Sequence, residues 1–306
     1  MNRIPMTRVR LFCARILYFF LRIVFRKERY QIKRSGICYE INLSEGIDLS
    51  LFLFGHFQKH ILQSKYFSIS ENAVMIDIGA NIGSITLPMA KAASRGQIYA
   101  IEPSDYAFQK LERNIILNPE LGKRIYVSKI FFSNTNAETS DLLAYSSWKI
   151  DRFKHIDAHP VHGGLIIATE KVAAITLDEF CESNSIEKVD FIKIDTDGHE
   201  YPVLLGAKKI LQRDHPVIVF EVGLYLLQEQ KVQFDDFLKL FDEIHYILID
   251  PKNGGIINGD NYTKHIPRMA TVDVIALFEG AGFNAEESCE CHLHQHPAVS
   301  KPADIG

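Results

Sequence analysis

Cysteine, tryptophan, long apolar runs and an excess of one charge are all scarce in this chain of 306 residues, and each scarcity removes a class of protein. The five cysteines (Cys13, Cys38, Cys181, Cys289 and Cys291) are odd in number and scattered. That argues against a disulfide framework and for a reducing compartment, the cytoplasm. A net charge of only −4 gives the whole molecule no footprint for nucleic acid. The longest uninterrupted apolar stretch near the N-terminus, residues 16–21, is far short of the roughly 20 residues that a membrane-spanning helix needs. A secretory signal would carry its arginines ahead of the apolar stretch and a small-residue cleavage site after it, and neither is seen.

The N-terminal segment is instead basic and amphipathic. Arg8, Arg15, Arg22 and Arg29 recur every seven residues, so they fall near one stripe of a helix whose other faces are apolar. Such a helix could lie on an anionic membrane surface, a peripheral contact, or pack on the domain with its arginines in water, and amphipathicity alone does not choose. Residues 1–29 are therefore read as this helix, and residues 30–70 as a hairpin around Ser35-Gly36 followed by a helix over 49–62. From residue 73 the rhythm becomes strand, turn, helix. Strands are expected over 73–78, 97–101, 124–131, 189–194 and 217–222, with helices over 84–94, 106–117 and 201–212. Strands alternating with helices imply a doubly wound α/β fold, a mostly parallel sheet with helices on both faces. Residues 71–285 form this domain. They contain a long polar insertion over 133–171 with Trp148, His155, His159 and His162, and a polar tail follows over 286–306.

In such sheets ligands bind beyond the carboxyl ends of the strands. The first strand ends in Asp77-Ile78-Gly79-Ala80-Asn81-Ile82-Gly83. A dinucleotide loop wants G-x-G-x-x-G, and counting from Gly79 the later glycines are replaced by Asn81 and Ser84. Asp77 adds a negative charge where phosphates would sit. A carboxylate there suits a nucleoside with a cationic amino group and no phosphate, which describes S-adenosyl-L-methionine. Glu102, ending the second strand, can accept hydrogen bonds from ribose hydroxyls in either kind of ligand.

A second constellation, Lys193-Ile194-Asp195-Thr196-Asp197-Gly198-His199-Glu200, puts Asp195 at the mouth of a later strand. If the ligand is S-adenosyl-L-methionine, the chemistry is methyl transfer. That needs acceptor and methyl held in line and, for an acceptor that loses a proton, a positioned base. Asp195 is the first candidate for that base, His199 the second, and Glu221 a third acid at the same edge, placed to contact the acceptor. Against these stand plainer roles: Asp195 as a helix N-cap, Glu200 as a first-turn charge, and Lys193 as a partner for a carboxylate. The tail sequence Cys289-x-Cys291-His292-x-His294-x-His296 has metal-binding residue types without familiar zinc spacing, so no dedicated metal site is expected.

The segments IDIGANIGSITLPMA, IYAIEPS, ITLDEF, FIKIDTDGHEYPVLLGAKKIL and PVIVFEV, in that order, resemble the FkbM-type methyltransferases. The resemblance runs from about residue 30 to about residue 222. It implies a class I, Rossmann-like fold with a seven-stranded sheet and O-methylation of a natural product, sugar or other glycan acceptor by S-adenosyl-L-methionine. It also makes Asp77, Gly79, Asn81, Gly83 and Glu102 cofactor contacts. Gln58, in Gly55-His56-Phe57-Gln58, stands where the family usually has Glu, and Asp197 where it commonly has Glu. The family's acidic residue after the third strand has no counterpart near Phe132-Ser133-Asn134. Two other functions remain open from sequence: a non-catalytic nucleoside-binding module on the same fold, and an NAD-dependent oxidoreductase.

Overall fold

The computed structural model describes residues 18–21, 23, 27, 29–140, 143–145, 166–168 and 172–281. Most of the N-terminal arginine stripe, the Trp148 and histidine cluster of the insertion, and the Cys/His tail lie outside the described residues.

The chain opens with an antiparallel hairpin, β1 (Arg29–Arg34) and β2 (Ile37–Asn42). Its turn is Ser35-Gly36, both at positive φ, as a two-residue hairpin turn demands. Helix α1 (Gly46–Phe54) stops at Gly55, whose φ of +76° is the left-handed closing conformation that glycine adopts freely. The helix expected to reach residue 62 therefore ends eight residues early, and Gly55-His56-Phe57-Gln58 becomes an irregular link to a single 3₁₀ turn, Lys59–Ile61.

The domain proper follows as β3 (Val74–Ile78), α2 (Thr86–Ala92), β4 (Gln97–Ile101), α3 (Asp105–Ile116), α4 (Pro119–Gly122), β5 (Ile125–Ser128) and the short β6 (Phe131–Phe132). Across the expected insertion come β7 (Ala137–Ser140), β8 (Leu143–Tyr145), β9 (Ile166–Ala168) and β10 (Val172–Ile175). Then follow α5 (Leu177–Ser183), β11 (Phe191–Ile194), α6 (Glu200–Leu205), α7 (Lys208–Asp214), β12 (Val217–Val222), α8 (Leu224–Glu229) and α9 (Phe234–Glu243). The remainder is β13 (Tyr246–Ile249), β14 (Ile256–Ile257), α10 (Tyr262–His265) and β15 (Val272–Phe278).

One sheet of eight strands runs β14-β13-β15-β12-β11-β3-β4-β5. The five strands from β5 to β12 are parallel, and β15, β13 and β14 are antiparallel to their neighbours. This is the doubly wound, mostly parallel α/β fold expected, with the two-residue β14 added at one edge. Strand order reverses between β3 and β11, the switch point where the crevice opens. Both sheet faces are covered by apolar side chains: Ile76, Ile192, Phe220 and Val274 on one side, Met75, Phe191, Val219 and Ile275 on the other. Such double burial is why the parallel strands read as continuous apolar runs.

The expected helix over 201–212 is two helices. Gly206 lies between them, and a side chain there would meet the Ser133 carbonyl at 2.2 Å, so the break fits the backbone to the strand beside it. The expected third strand over 124–131 likewise divides, β5 staying in the main sheet while β6 pairs with β10.

The hairpin and α1 are stitched to α3 by buried polar groups. Asn114 accepts from the Glu40 amide (2.7 Å) and donates to the Ile82 carbonyl (2.8 Å), so one side chain joins the hairpin to the glycine loop. Asn118 exchanges two hydrogen bonds with the Cys38 backbone. Lys110, buried, is paired with Glu45 (2.9 Å) and Asp48, which are buried too. Side chains thus take up several backbone groups along the free edge of β2.

Candidate active site

The parallel register fixes what faces the crevice. Ile78 of β3, Ile194 of β11 and Phe220 of β12 are level, so the next positions, Gly79, Asp195 and Glu221, are level as well, and Glu221 pairs with Asp273 of β15. The carboxyl edge of the sheet is thus a row of one glycine and three acids. Beyond β11 the chain turns through Asp197 and Gly198 at φ +52° and +109°, which carries the Asp197 carboxylate back over that edge. The carboxylate oxygens of Asp195, Asp197 and Glu221 come within 4.8 Å of one another. The turn is held by Glu200, which is buried and accepts hydrogen bonds from the Thr196 and Gly198 amides (2.9 and 3.1 Å) and from the Thr196 hydroxyl (3.1 Å). Glu200 is thus a loop staple. The helix after it begins at Glu200 with His199 as its N-cap, so Asp195 does not cap it.

Behind the row lies Lys193, 3% exposed. Its ammonium sits 3.4 Å from Asp195 and 3.5 Å from Asp77, and donates to the Gly79 carbonyl at 3.0 Å. Burial opposes its charge, but Asp195, Asp77 and Glu221 outweigh burial and hold the ammonium above the usual lysine range. The partner role expected of Lys193 is what the geometry gives it. Asp77 is wholly buried, with one oxygen taken by the Thr86 hydroxyl at 2.6 Å and the other facing Lys193. Its charge is spent inside the fold, fixing the loop from below, and its carboxylate does not line the crevice.

The glycine loop rests directly on the second constellation. A Cβ on Gly79 would lie 1.8 Å from the Asp195 carbonyl oxygen, and Gly79 has φ +76°. Asn81 also takes a positive φ (+49°), and its amide donates to Glu102 at 2.9 Å. The other oxygen of Glu102 accepts from the amide (2.9 Å) and hydroxyl (2.6 Å) of Ser104. Gly83 closes the loop at φ +85° against the side chain of Leu111. The structure therefore brings Gly79, Asn81, Glu102, Asp195 and Glu221 together. His199 stands apart from the acids, its ring edge-on to Phe131 at 5.2 Å, and burial lowers its pKa.

Electrostatics set this edge off from the rest of the sheet. Burial first, then Asp195 and Glu200, raise the pKa of Asp197 well above the ordinary carboxylate range. Burial, then Asp195, Asp273 and Asp197, do the same to Glu221, which also accepts from the Thr271 hydroxyl at 2.7 Å. Burial likewise raises Glu102. Too many carboxylates share too little solvent for all to ionise, so the crevice is short of positive charge. Three carboxylates at this spacing are also a donor set for a hard cation such as magnesium. At the far end of the row His60 bonds Asp273 at 2.5 Å, a contact spanning 213 residues of sequence that no local pattern announces.

Residues 77–248, more than half of the chain, match the methyltransferase FkbM domain. The hexuronic acid methyltransferase AglP of Haloferax volcanii is 27% identical over 150 residues, covering 49% of this chain and 56% of the relative. Methyltransferase 1 of Beauveria bassiana is 25% identical over 165 residues, covering 48% of this chain and 65% of the relative. The chain thus spans less than two thirds of the length of either curated relative. The crystal structure of a methyltransferase FkbM from Methylobacillus flagellatus aligns with 69% of this chain and 45% of its own, at 14% identity and a TM-score of 0.43. The chain belongs to the methyltransferase FkbM domain family.

Proposed function

We propose that this chain uses S-adenosyl-L-methionine to methylate a hydroxyl on a polyhydroxylated acceptor, a sugar or a related natural product. The carrying observation is the crevice itself: a glycine turn bounded by Glu102 and Asp195, with uncompensated acids in front and no phosphate-binding glycines. A ligand that brings positive charge and a ribose, and leaves phosphate behind, fits that donor set. A dinucleotide does not, which weighs against an oxidoreductase. The name of the Haloferax volcanii relative favours a sugar acid among polyhydroxylated acceptors.

The cofactor supplies the methyl group and, as a sulfonium, its own neutral leaving group. What falls to the chain is to bind, align and take one proton. Glu102 meets the ribose edge, while Gly79 and Asn81 let the backbone approach. Asp195, with a quarter of its side chain exposed and Lys193 fixing its position, takes the acceptor's hydroxyl proton. Glu221, at the same edge and within reach of Asp195 and Asp197, contacts the acceptor. His199, packed on Phe131, is a weaker candidate for the base.

The N-terminal helix is proposed to touch a membrane surface. Phe19, Phe20 and Ile23 point outward, each more than half exposed, while Tyr18 and Leu21 pack inward. Among the described residues no helix is long and apolar enough to cross a membrane.

Deleting the chain from its host should remove one methylated carbohydrate and leave its counterpart lighter by one methylene, read by mass spectrometry. The wild-type chain should restore it. Asp195→Ala should restore less than about a hundredth of it, the range expected for losing a positioned base, while binding S-adenosylhomocysteine as the wild type does. Full restoration by Asp195→Ala would remove Asp195 from the proton-transfer step.

A further inference from the structure

The acid row ends at His60, and on the far side of His60 a groove of about 620 Å³ opens between α1 and the 3₁₀ turn. It is formed by the link that follows Gly55, where the helix stops short. His56, Phe57, Gln58, Lys59 and His60 all line it, and no carboxylate among the described residues does. The groove and the crevice are neighbours: His60 bonds Asp273, Asp273 pairs with Glu221, and Glu221 sits among Asp195 and Asp197.

Its charge is the reverse of the crevice's. The Lys59 ammonium has no hydrogen-bond or ion-pair partner among the described residues and stands at the surface. Lys252, in the turn after β13, does not line the groove but stands beside it, close enough to His60 to oppose its protonation. Its ammonium likewise has no hydrogen-bond or ion-pair partner among the described residues. Asp273 acts the other way on His60, holding its pKa above the usual histidine value through the hydrogen bond between them, so His60 is already matched to a carboxylate. Lys59 in the lining and Lys252 beside His60 are thus cations with no counter-ion within ion-pair distance among the described residues. Gln58 adds a second signal. Its backbone is held at φ +43°, and its side-chain oxygen is buried without a hydrogen-bond partner. A buried unpaired amide oxygen costs stability, and turning the amide toward a hydroxyl in the groove would relieve it. Phe57 offers an apolar surface of the kind on which a sugar ring can rest.

We propose that this groove binds the acceptor, and that the acceptor is an anionic carbohydrate whose negative group lies against Lys59 and Lys252 while its hydroxyls meet Gln58 and His60. The arrangement rests on the methyltransferase reading and narrows it. An anion at the lysine end cannot slide into the acid row, because the clustered carboxylates of Asp195, Asp197 and Glu221 disfavour a further negative charge beside them. That polarity orients the ring and presents a hydroxyl, never the charged group, toward Asp195. The attractive groups select the acceptor and the repulsive ones set its direction.

The test is a calorimetric titration of the full chain, saturated with S-adenosylhomocysteine and also without it, with glucuronic acid, glucose 6-phosphate and glucose in turn. At least one anionic sugar should bind ten times more tightly than glucose. Whichever of the two binds better tells a carboxylate from a phosphate. Lys59→Glu and Lys252→Glu should each weaken that binding at least tenfold. Lys123→Glu, an equal charge change at a lysine paired with Glu120 away from the groove, should leave it unchanged. Equal binding of glucose, saturation by none of the three, indifference to Lys59→Glu, or an equal loss in Lys123→Glu would each overturn the proposal. Titrating S-adenosylhomocysteine into the same proteins separates the two layers. Failure of the wild type to bind it defeats the methyltransferase reading and leaves the sugar measurement without cofactor to be judged alone.

Discussion

Replacing Lys193 with methionine should destabilise the fold by about 3–5 kcal/mol, the cost of stranding a buried charge. Methionine fills much the same volume, so little of the loss would come from packing. Asp77 would suffer most. It is fully buried, Thr86 satisfies only one of its oxygens, and Lys193 is the only cation within ion-pair distance among the described residues. Asp195, a quarter exposed, can turn to water instead. The double variant Asp77→Asn with Lys193→Met should therefore recover much of the loss. Urea unfolding of the two variants and the wild type measures both statements. A loss under about 1 kcal/mol, the scale of a surface pair, would mean that Lys193 is not the counter-charge that holds this edge.

The second large effect is expected at Gly79. Alanine there would place a methyl group 1.8 Å from the Asp195 carbonyl oxygen and 2.9 Å from its carbon, and would hold a side chain at φ +76°. Both obstacles are backbone, and neither strand can retreat, because β3 and β11 are paired along their length. Conformational strain of about 1–3 kcal/mol and the cost of prising two strand ends apart add, giving roughly 3–5 kcal/mol in all. Gly83 supplies the control. Its φ is similar (+85°), but a Cβ would meet only the tip of the Leu111 side chain, at 2.8 Å, which can rotate away. Gly83→Ala should cost only the strain, about 1–3 kcal/mol. S-adenosylhomocysteine binding should vanish in Gly79→Ala and merely weaken in Gly83→Ala. Equal losses in the two variants would show that the contact with Asp195 carries no weight.

These two residues mark where sequence reasoning succeeds and where it stops. The loop after β3 was legible because its information is local: an apolar run, an acid, spaced glycines and a second acidic strand end. The parallel sheet was legible for the same reason. The fate of Asp77 was not. An acid at a strand mouth reads alike whether it meets a ligand or a lysine, and only the pairing of β3 with β11 puts Lys193 beside it. His199 looked catalytic from its neighbours in sequence, yet the turn at Asp197-Gly198 delivers Asp197 to the acids and leaves the histidine on Phe131. Gly206 divides a helix that its apolar spacing made continuous, because the constraint comes from Ser133 on another element. Asp273 and His60 carried no signal at all, since each gains its meaning from the other across the fold.

One stretch of sequence was informative through a failure of pattern. Gly55-His56-Phe57-Gln58 interrupts an otherwise helical run, and Gly55 ends the helix there. The interruption is what exposes the basic groove next to the acid row. Together they give the edge of the sheet two poles, an acidic one suited to a cation and a basic one suited to an anion.

Calorimetric titration of the wild-type chain and Glu102→Ala with S-adenosyl-L-methionine, and of the wild type with NAD, bears most directly on the crevice. Saturable binding of the sulfonium nucleoside, at least about tenfold weaker in Glu102→Ala (roughly 1.4 kcal/mol), and no binding of NAD are predicted. Tighter binding of NAD, or an affinity for S-adenosyl-L-methionine that ignores the loss of Glu102, would contradict the reading of the crevice as a seat for a cationic nucleoside.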